Sequence, residues 1–238
     1  MPRLETALIT GGTGAVGRHV ASRFLADGFR VATTYRVPEE WDSMAAAHAD
    51  AVAAGRLIPL EADVTDHDAM GDAVRRSIAA LGGLRVLIHV AGGYRGGVTV
   101  DAVDEKTVRL MIDLNLVSAF WAAKHSIPAI RESGAGRLLF FSSRGAVETY
   151  PGAAAYAASK AGLHALVGTL AKELKATGAT ANAILPSVID TEANRAAMPD
   201  AARDAWVRPE QVASLLAFLA SDAAAAVSGA LIPIYGRA

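Results

Sequence analysis

A tyrosine and a lysine four residues apart form a pair that can move a proton. Three small residues separate Tyr156 from Lys160, so on a helix the two side chains share one face. A phenol is a poor acid or base near neutral pH because its reference pKa is about 10. A neighbouring ammonium group favours the phenolate and lowers that pKa. The spacing therefore predicts a general acid or base whose pKa is tuned by the lysine.

A serine upstream of this pair supplies a hydroxyl group. Ser143 ends the predicted strand Arg137–Ser143, and ligand sites of open α/β sheets lie at the carboxyl ends of strands. A hydroxyl there can donate a hydrogen bond to a substrate oxygen on which negative charge develops. Taken singly, the three residues also fit a buried tyrosine, a surface lysine and a strand-end serine. A second motif near the N-terminus makes the catalytic interpretation the better one.

That motif is a glycine-rich turn between the first predicted strand and the first predicted helix. Residues 12–17 read Gly-Thr-Gly-Ala-Val-Gly and fit the pattern G-x-G-x-x-G. Glycine at such a turn allows a tight bend, close approach of the backbone to a pyrophosphate, and close packing of helix on sheet. The free N–H groups of the helix N-terminus then meet the phosphates. The motif predicts a dinucleotide site; the alternative is a strand–helix turn that binds nothing.

The end of the second predicted strand indicates which dinucleotide is bound. An acidic residue there hydrogen-bonds the ribose 2′-hydroxyl of NAD, whereas an arginine accommodates the 2′-phosphate of NADP. This chain has Tyr35 and Arg36 there, with no acidic residue until Glu39. The pattern favours NADP(H) over NAD(H); the alternative is that Arg36 is a solvated surface charge.

Strand-like and helix-like patterns alternate along the whole chain. The strands are continuous apolar runs, which is typical of strands buried on both faces. Such alternation builds a parallel sheet with helices on both faces. We therefore predict a Rossmann-type, doubly wound, mostly parallel seven-stranded α/β fold, with residues 1–238 forming a single domain that carries both cofactor and substrate sites. The predicted strands are Leu4–Thr10, Phe29–Arg36, Arg56–Glu61, Leu84–Ala91, Arg137–Ser143, Thr180–Leu185 and Ala230–Ile234.

Helical patterns fill most of the intervals between these strands. The stretch Thr191–Arg208 is the least regular, and it has two open interpretations, a mobile lid or an ordinary surface connection. The predicted helices extend from the glycine turn to about Ala26 and over about Glu39–Ala54, His67–Ala80, Glu105–Arg131, Ala153–Ala176 and Pro209–Ala220.

The composition excludes several other functions. Hydrophobic residues make up 52% and charged residues 20% of the 238 residues, which is enough apolar material for a folded core. The net charge of -1, without a basic block, argues against a nucleic-acid partner. The lack of cysteine excludes disulfides, thiolate nucleophiles and cysteine-ligated zinc. With no signal-peptide pattern and no run of about 18 apolar residues, we expect a cytoplasmic protein without a membrane partner.

The histidine in the middle strand is not expected to bind a metal. His89 lies in an apolar run and has no histidine or carboxylate at ligand spacing. A hydrogen-bonded core histidine is the favoured interpretation, and we expect a site without metal.

The residues above together resemble the short-chain dehydrogenase/reductase family, and the resemblance covers essentially the whole chain. Three positions depart from the family pattern: Ala15 replaces a glycine, His89 begins a segment that is usually Asn-Asn-Ala-Gly, and Ser187 replaces the glycine of a Pro-Gly pair. The matching residues are Thr10–Gly17, Asp63, Val64, Ala91, Gly92, Asn115, Ser143, Tyr156, Lys160, Pro186 and Thr191.

The resemblance implies a role for each residue of the proton-transfer group. Tyr156 is expected to be the acid or base, while Lys160 lowers its pKa and holds the nicotinamide ribose. Ser143 is expected to orient and polarise the substrate oxygen, and Asn115 to support a water molecule that relays protons. The resemblance also implies a homotetramer or homodimer built on the long helices.

The resemblance further assigns residues to the cofactor. Asp63 and Val64 are expected to flank the adenine, and Ile189 and Thr191 to hold the nicotinamide carboxamide. Besides Tyr156 and Lys160, the expected cofactor-binding residues are Gly11, Thr13, Gly14, Ala15, Val16, Gly17, Tyr35, Arg36, Asp63, Val64, Ala91, Gly92, Pro186, Ile189 and Thr191.

The leading functional hypothesis is an NADP-dependent carbonyl reductase or alcohol dehydrogenase acting on a small molecule. In it, Tyr156 exchanges a proton with the substrate oxygen while hydride moves to or from the nicotinamide. A hypothesis from a different functional class is a sensor that binds NADP(H) without turnover. The presence of Ser143, Tyr156 and Lys160 argues against a sensor, since a sensor needs none of them.

The second hypothesis concerns a different bond, the C=N bond of a pterin-like or imine substrate. Residues 90–97 and 185–191 are similar to dihydropteridine reductases, which are unusual members of the same family. Those enzymes lack the catalytic serine and prefer NADH, whereas this chain has Ser143 and Arg36. Tyr94 and Arg95 are expected near the nicotinamide, where they contact substrate or, alternatively, belong to a glycine-flanked surface loop.

Overall fold

Seven parallel strands form one sheet in the computed structural model, which describes residues 5–237. The strand order is β3-β2-β1-β4-β5-β6-β7, and every ladder is parallel, so the predicted mostly parallel sheet is parallel throughout. The order reverses between β1 and β4, which is where open α/β sheets form their ligand crevice. The strands are β1 Thr6–Thr10, β2 Arg30–Tyr35, β3 Leu57–Glu61, β4 Val86–His89, β5 Arg137–Phe141, β6 Thr180–Pro186 and β7 Leu231–Ile234.

The helices cross over between these strands. None of them, within residues 5–237, combines the length and the apolar character that crossing a bilayer requires. They are α1 Gly17–Ala26, α2 Pro38–Ala47, α3 Ala49–Ala53, α4 His67–Leu81, α5 Glu105–Ile112, α6 Ser118–Glu132, α7 Ala154–Glu173, α8 Glu192–Ala197 and α9 Pro209–Ala220.

The core has two layers, one on each face of the sheet. Leu8 and Phe140 pack with residues of α4, α6 and α7 on one face. Their neighbours in sequence, Ile9 and Phe141, pack with residues of α1 and α9 on the other face. Successive side chains of a strand point to opposite faces, so a strand covered on both sides is apolar at most of its positions. The continuous apolar runs in the sequence have this cause.

The element boundaries differ from the predictions by one or two residues at most strands. The predicted start of the first strand, Leu4, lies outside the described residues. The predicted helix Glu39–Ala54 is divided into α2 and α3 at His48, whose backbone is not helical (φ -127°, ψ 35°). There the His48 ring is 2.8 Å from the hydroxyl of Ser22 on α1, a contact between elements that sequence periodicity does not reveal.

The predicted long helix Glu105–Arg131 contains a wider turn. Between α5 and α6 lies the π-helical turn Asp113–Val117, in which the N–H of Ser118 donates to the carbonyl of Asp113. A π-turn adds one residue to the helical turn and is frequent at functional sites. This turn contains Asn115, which is fully buried.

The irregular stretch Thr191–Arg208 contains a short helix, α8, and a 3-10 turn, Arg203–Ala205. Its base is closed by backbone hydrogen bonds from Asp190 to Val207 (2.8 Å) and from Val207 to Val188 (2.9 Å). Both interpretations of the stretch, lid and surface connection, stay open above this fixed base.

Candidate active site

The glycine turn after β1 is packed so closely that side chains are excluded at three positions. A Cβ on Gly12 would lie 2.0 Å from the hydroxyl oxygen of Thr33. Gly11 has a φ of +64°, and a Cβ there would lie 3.0 Å from the Cα of Ala91, at the end of β4. A Cβ on Gly17 would lie 2.1 Å from the carbonyl oxygen of Gly11. Glycine at these positions therefore brings the start of α1 against the turn and the turn against β4.

The turn also has space for a phosphate group and backbone N–H groups that can bind it. A Cβ on Gly14 would meet only the Gly11 oxygen, at 3.4 Å, so packing within the protein does not require glycine there. No side chain in the described part of the chain caps the first turn of α1, which begins after Val16. The N–H groups of Arg18 and His19 donate to the carbonyls of Gly14 and Val16. Within residues 5–237 no hydrogen bond occupies the N–H groups just before them, those of residues 15–17, and such free N–H groups attract anions. The residues of this turn therefore fit a pyrophosphate.

A cleft of about 420 Å³ lies at the carboxyl ends of β1, β2, β3 and β4. Its lining includes every residue assigned to the cofactor from the first four strands: Gly11, Thr13, Gly14, Ala15, Val16, Gly17, Tyr35, Arg36, Asp63, Val64, Ala91 and Gly92. It also includes residues that the sequence analysis missed: Thr34, Val37, Glu40, Ala62, Val90 and Leu114.

Charged groups gather at the β2 end of this cleft. A guanidinium nitrogen of Arg36 lies 3.7 Å from a carboxylate oxygen of Asp63. Hydrogen bonds from Thr65, with a smaller contribution from Arg36, hold the pKa of Asp63 below its ordinary value. At the glycine turn, the hydroxyl of Thr13 donates to a carboxylate oxygen of Glu40 at 2.9 Å. One cation and two carboxylates thus line the cleft, with Asp63 beside Arg36 and Glu40 beside the glycine turn.

Ser143 and Tyr156 lie side by side beyond β5. The Ser143 oxygen accepts a hydrogen bond from the N–H of Gly145 (3.1 Å), so its own proton can be donated to the oxygen of Tyr156 or of a substrate. Burial raises the pKa of Tyr156, and the hydrogen bond with Ser143 only partly offsets that increase. The sequence analysis expected Lys160 to lower the pKa of Tyr156. The structure differs because desolvation of the phenolate has the larger effect.

Lys160 is buried below the cleft. Its ammonium group donates to the carbonyl of Phe141 at 2.8 Å, and burial lowers its pKa to about 8. A Cβ on Gly92 would lie 3.0 Å from the Lys160 nitrogen and 2.8 Å from Asn115 Oδ1. Gly92 also lines the cleft, so this bare backbone position connects the cleft with the proton-transfer group.

Asn115 fastens the loop that follows β4. Its amide nitrogen donates to the carbonyl of Gly93 (3.0 Å) and to the hydroxyl of Ser159 (3.1 Å), while its oxygen accepts from the N–H of Gly93 (2.9 Å). The side chain thereby holds the loop against α7. Its expected support of a relay water stays a prediction.

Two tyrosines stand at the mouth of this group, and the sequence analysis identified only one of them. The ring of Tyr94 contacts the ring of Tyr156 edge to face, with centroids 5.0 Å apart. Burial and a hydrogen bond with Tyr94 raise the pKa of Tyr150. Tyr94 and Tyr150 are both about half exposed, and their loops are joined by the hydrogen bond from Gly97 to Gly152 (2.9 Å).

His89 is a hydrogen-bonded core residue, as the sequence analysis favoured. Ser118 donates its proton to the carbonyl of Leu114 (2.7 Å), so it accepts from Nε2 of His89 (3.0 Å). Nδ1 of His89 then accepts from the hydroxyl of Thr10 (2.9 Å). Burial, followed by the charge of Lys160, lowers the pKa of His89 to about 3, so the ring is neutral.

The residues expected to hold the carboxamide lie after β6, outside the lining of the cleft. Pro186 ends β6, and Ile189 is partly buried against the core. The hydroxyl of Thr191 accepts from the N–H of Asn194 (3.3 Å) and so caps α8. The structure therefore gives Thr191 a local helix-capping contact, and its contact with cofactor stays a prediction.

Comparison with known proteins places this arrangement beside one family. The sequence profile of short chain dehydrogenases matches residues 5–202. The 3-oxoacyl-[acyl-carrier-protein] reductase MabA of Mycobacterium bovis is 32% identical over 240 residues, covering 98% of this chain and 92% of that protein. The 2-dehydro-3-deoxy-L-rhamnonate dehydrogenase (NAD(+)) of Sphingomonas sp. is 35% identical over 189 residues, covering 78% of this chain and 72% of that protein.

A solved structure extends the similarity to the fold. The blue fluorescent protein from a metagenomic library, in complex with NADPH, has a TM-score of 0.88 and 28% sequence identity to this chain. The match covers 99% of this chain and 98% of that protein.

Proposed function

The chain belongs to the short-chain dehydrogenase family, and from this membership we propose that it transfers hydride between NADPH and a small carbonyl or alcohol substrate. The observation that supports the proposal most directly is the position of Gly92. This residue lines the cleft and also lies against the ammonium group of Lys160. A nicotinamide cofactor in the cleft would therefore end beside the proton-transfer group. The cofactor supplies the hydride; the chain supplies binding, orientation and the proton.

Tyr156 is the proposed proton donor. Burial holds its pKa above the ordinary value, so the phenol is protonated near neutral pH, and it donates its proton to a carbonyl oxygen as negative charge develops there. In the reverse direction the phenolate form accepts the proton of an alcohol.

Ser143 and Lys160 support this proton transfer in different ways. The Ser143 hydroxyl donates to the substrate oxygen, because its own oxygen is already fixed by the N–H of Gly145. The buried ammonium group of Lys160 stabilises the phenolate that forms after proton transfer and holds a ribose hydroxyl. Asn115 keeps the loop after β4 in place and supports a relay water.

The same domain, residues 1–238, carries the cofactor and substrate sites. The turn Gly11–Gly17 and the start of α1 hold the pyrophosphate, Asp63 and Val64 the adenine, and Arg36 the 2′-phosphate. Ala91, Gly92, Pro186, Ile189 and Thr191 hold the nicotinamide half. The names of similar proteins mention both cofactors, NAD(+) in one case and NADPH in another, so the preference for NADPH rests on Arg36.

The substrate site is proposed at the mouth formed by Tyr94 and Tyr150. Their half-exposed rings lie next to Tyr156, and large apolar surface of this kind next to a reactive group indicates binding. A small substrate with a flat, apolar body fits this mouth, with its carbonyl oxygen turned to Ser143 and Tyr156. The similar proteins named for 3-oxoacyl and sugar-acid substrates show that this family is not restricted to one carbonyl class.

Assembly and location complete the proposal. We expect a cytoplasmic homotetramer or homodimer built on α5, α6 and α7. Light scattering after size-exclusion chromatography measures the assembly, and a monomer at micromolar concentration would contradict this part of the proposal.

A substrate panel tests the activity. The purified protein is incubated with NADPH or NADH and with ketones, aldehydes, 3-oxoacyl thioesters, imines and quinonoid dihydropterin, and the loss of nicotinamide absorbance is followed. Turnover of carbonyl compounds supports the proposal, whereas exclusive turnover of the dihydropterin or imines assigns the chain to C=N reduction. Tight NADPH binding without turnover of any compound would instead support a sensor.

A further inference from the structure

Two acidic residues and one basic residue line the cleft near the end of β2 and the glycine turn. Arg36 and Asp63 form an ion pair at 3.7 Å, and Glu40 accepts a hydrogen bond from Thr13 at 2.9 Å. All four residues line the same cleft. With one positive and two negative charges, this end of the cleft is negative overall.

Glu40 reaches the glycine turn because of the start of α2. The helix begins at Pro38, directly after Val37, and its first turn carries Glu39 and Glu40. Glu40 lines the cleft and contacts Thr13, whereas the lining does not include Glu39, within the residues that the structure describes. Glu39 and Glu40 therefore have the same charge and lie in the same first turn of α2, but only Glu40 contacts Thr13.

The negative charge of Glu40 has opposite consequences for the two cofactors. A carboxylate accepts hydrogen bonds from a ribose with free hydroxyls. A 2′-phosphate brings further negative charge into a space that already holds two carboxylates, and like charges at short range repel. Among the described residues that line the cleft, Arg36 is the cation that attracts the phosphate, and it is partly neutralised by Asp63.

We propose that Glu40 is a cofactor-selectivity residue that opposes the 2′-phosphate, so that the preference for NADPH conferred by Arg36 is small in the native protein. The proposal rests on the proposed function, since it assumes that the cleft holds a nicotinamide dinucleotide. It deepens that function by naming Glu40, which lies beyond the end of β2 and was not identified from the strand-end pattern.

The test removes the charge of Glu40 and keeps its hydrogen bond. Glutamine retains a side-chain oxygen that can accept from Thr13, so Glu40→Gln changes the charge alone. Calorimetry measures the binding of ADP-ribose and of its 2′-phosphorylated form, which differ only at the position in question. We expect about tenfold tighter binding of the phosphorylated form by Glu40→Gln, with ADP-ribose bound equally or more weakly.

Glu39→Gln is the matched control, because it removes the same charge from the same helical turn. It should change the ratio of the two affinities by less than about twofold. Arg36→Gln should shift the ratio the other way, and the effect of Glu40→Gln should shrink as salt is added, because salt screens exposed charges. The ratio of kcat/KM for NADPH and NADH should follow the binding ratio.

Several results overturn the proposal. An unchanged affinity ratio in Glu40→Gln excludes Glu40 as a selectivity residue, and an equal change in Glu39→Gln shows that only overall charge matters. If Glu40→Gln does not fold, Glu40→Ala and the native protein at different salt concentrations give the same comparison. If neither ADP-ribose nor its phosphorylated form binds to the native protein, the proposed function fails together with this inference.

Discussion

The two edges of the parallel sheet use polar residues in opposite ways. At the amino edge, buried or partly buried arginines stand at the starts of β2, β4 and β5. Arg30 donates to the carbonyls of Ala80 and Leu81 at the end of α4 (2.8 and 2.9 Å). Arg85 donates to the carbonyl of Ala220 at the end of α9 (2.9 Å), and its side chain is only 3% exposed. The guanidinium groups of Arg30 and Arg85 thus bind carbonyls at the ends of helices.

At the carboxyl edge, hydrogen bonds and burial fix the polar side chains, but these side chains can still form hydrogen bonds with a ligand. Ser143 has one hydrogen bond to its oxygen and a proton to give, and Tyr156 is buried so that its protonated form is favoured. The last carbonyls of helices carry partial negative charge, which suits buried cations, whereas the first N–H groups suit anions. The parallel arrangement therefore places the helix ends that bind cations at one edge and those that bind phosphates at the other. We therefore expect substitutions at the amino edge to lower mainly the free energy of unfolding, and substitutions at the carboxyl edge to lower mainly kcat.

Tyr156→Phe gives the largest expected effect and tests the chemical edge. The substitution removes the phenol oxygen and keeps the ring contact with Tyr94, so kcat should fall about 10³-fold. The dissociation constant for NADPH should change less than about threefold, and the melting temperature should stay the same or rise. Stopped assays with an active carbonyl substrate measure kcat, and calorimetry measures cofactor binding. Unchanged turnover would show that another group moves the proton.

Arg137→Met tests the structural edge. Arg137 is 1% exposed and donates to the carbonyls of Ala135 (3.0 Å) and Gly136 (2.9 Å) at the start of β5. Losing these hydrogen bonds and the 3.9 Å ion pair with Asp222 should lower the free energy of unfolding by about 3 kcal/mol, while kcat per folded molecule stays the same. Denaturant unfolding measures the first quantity, and activity per folded molecule the second.

The exposed Arg75 provides the control for this comparison. Its ion pair with Asp72 lies on the surface, so Arg75→Met should lower the free energy of unfolding by less than about 0.5 kcal/mol. If Arg137→Met lowered kcat without affecting stability, the proposed division between the two edges would be wrong.

Lys160→Met should increase the free energy of unfolding by an amount that depends on pH. Burial lowers the pKa of Lys160 to about 8 from its ordinary 10.5. Below about pH 8 the folded protein carries a buried positive charge, which lowers its free energy of unfolding. Between about pH 8 and 10.5 only the unfolded chain keeps the proton, so unfolding takes up a proton and the stability of the native protein rises with pH.

Methionine removes the buried charge, so Lys160→Met should be more stable than the native protein by about 2 kcal/mol near pH 7. This difference should shrink above about pH 8, where the native protein loses its penalty. Urea unfolding of both proteins near pH 7 and near pH 10 measures it. A difference that is independent of pH would show that Lys160 does not titrate in this range.

Tyr94→Leu should have the smallest effect, and it sharpens the description of the substrate mouth. The rings of Tyr94 and Tyr156 are in edge-to-face contact, and such aromatic pairs have an interaction free energy of about 1 kcal/mol. The loss of the ring should raise KM for the substrate about five- to tenfold and change kcat less. Tyr94→Phe is the control, because it keeps the ring, and its KM should stay within about twofold of the native value. Equal KM values in all three proteins would exclude Tyr94 from the substrate site.

The sequence predicted the order of elements and much of the candidate site because these depend on local patterns. Strand apolarity, helical spacing and the position of the glycine turn are visible over short windows. The turn and the strand ends at Tyr35, Asp63 and Ala91 could therefore be assigned to one cofactor site from the sequence, since the carboxyl ends of parallel strands meet at one edge. The structure gathers these residues along one cleft.

The features that the sequence did not reveal depend on contacts between distant elements. Glu40 meets Thr13 only because α2 folds back over the glycine turn. Tyr150 reaches Tyr94 across two loops, and the helix break at His48 accompanies a contact with α1. None of these contacts leaves a periodic signal in the chain.

The sequence by itself determined which groups are available for chemistry and which strand ends carry them, because residue type and periodicity are local properties. Only the tertiary structure decided their electrostatic state. Burial in the folded protein raises the pKa of Tyr156 and lowers that of Lys160. Packing places Asp63 beside Arg36 and Glu40 against Thr13 in the same cleft. Desolvation and charge pairing depend on distance through space, and these distances exist only once the chain has folded.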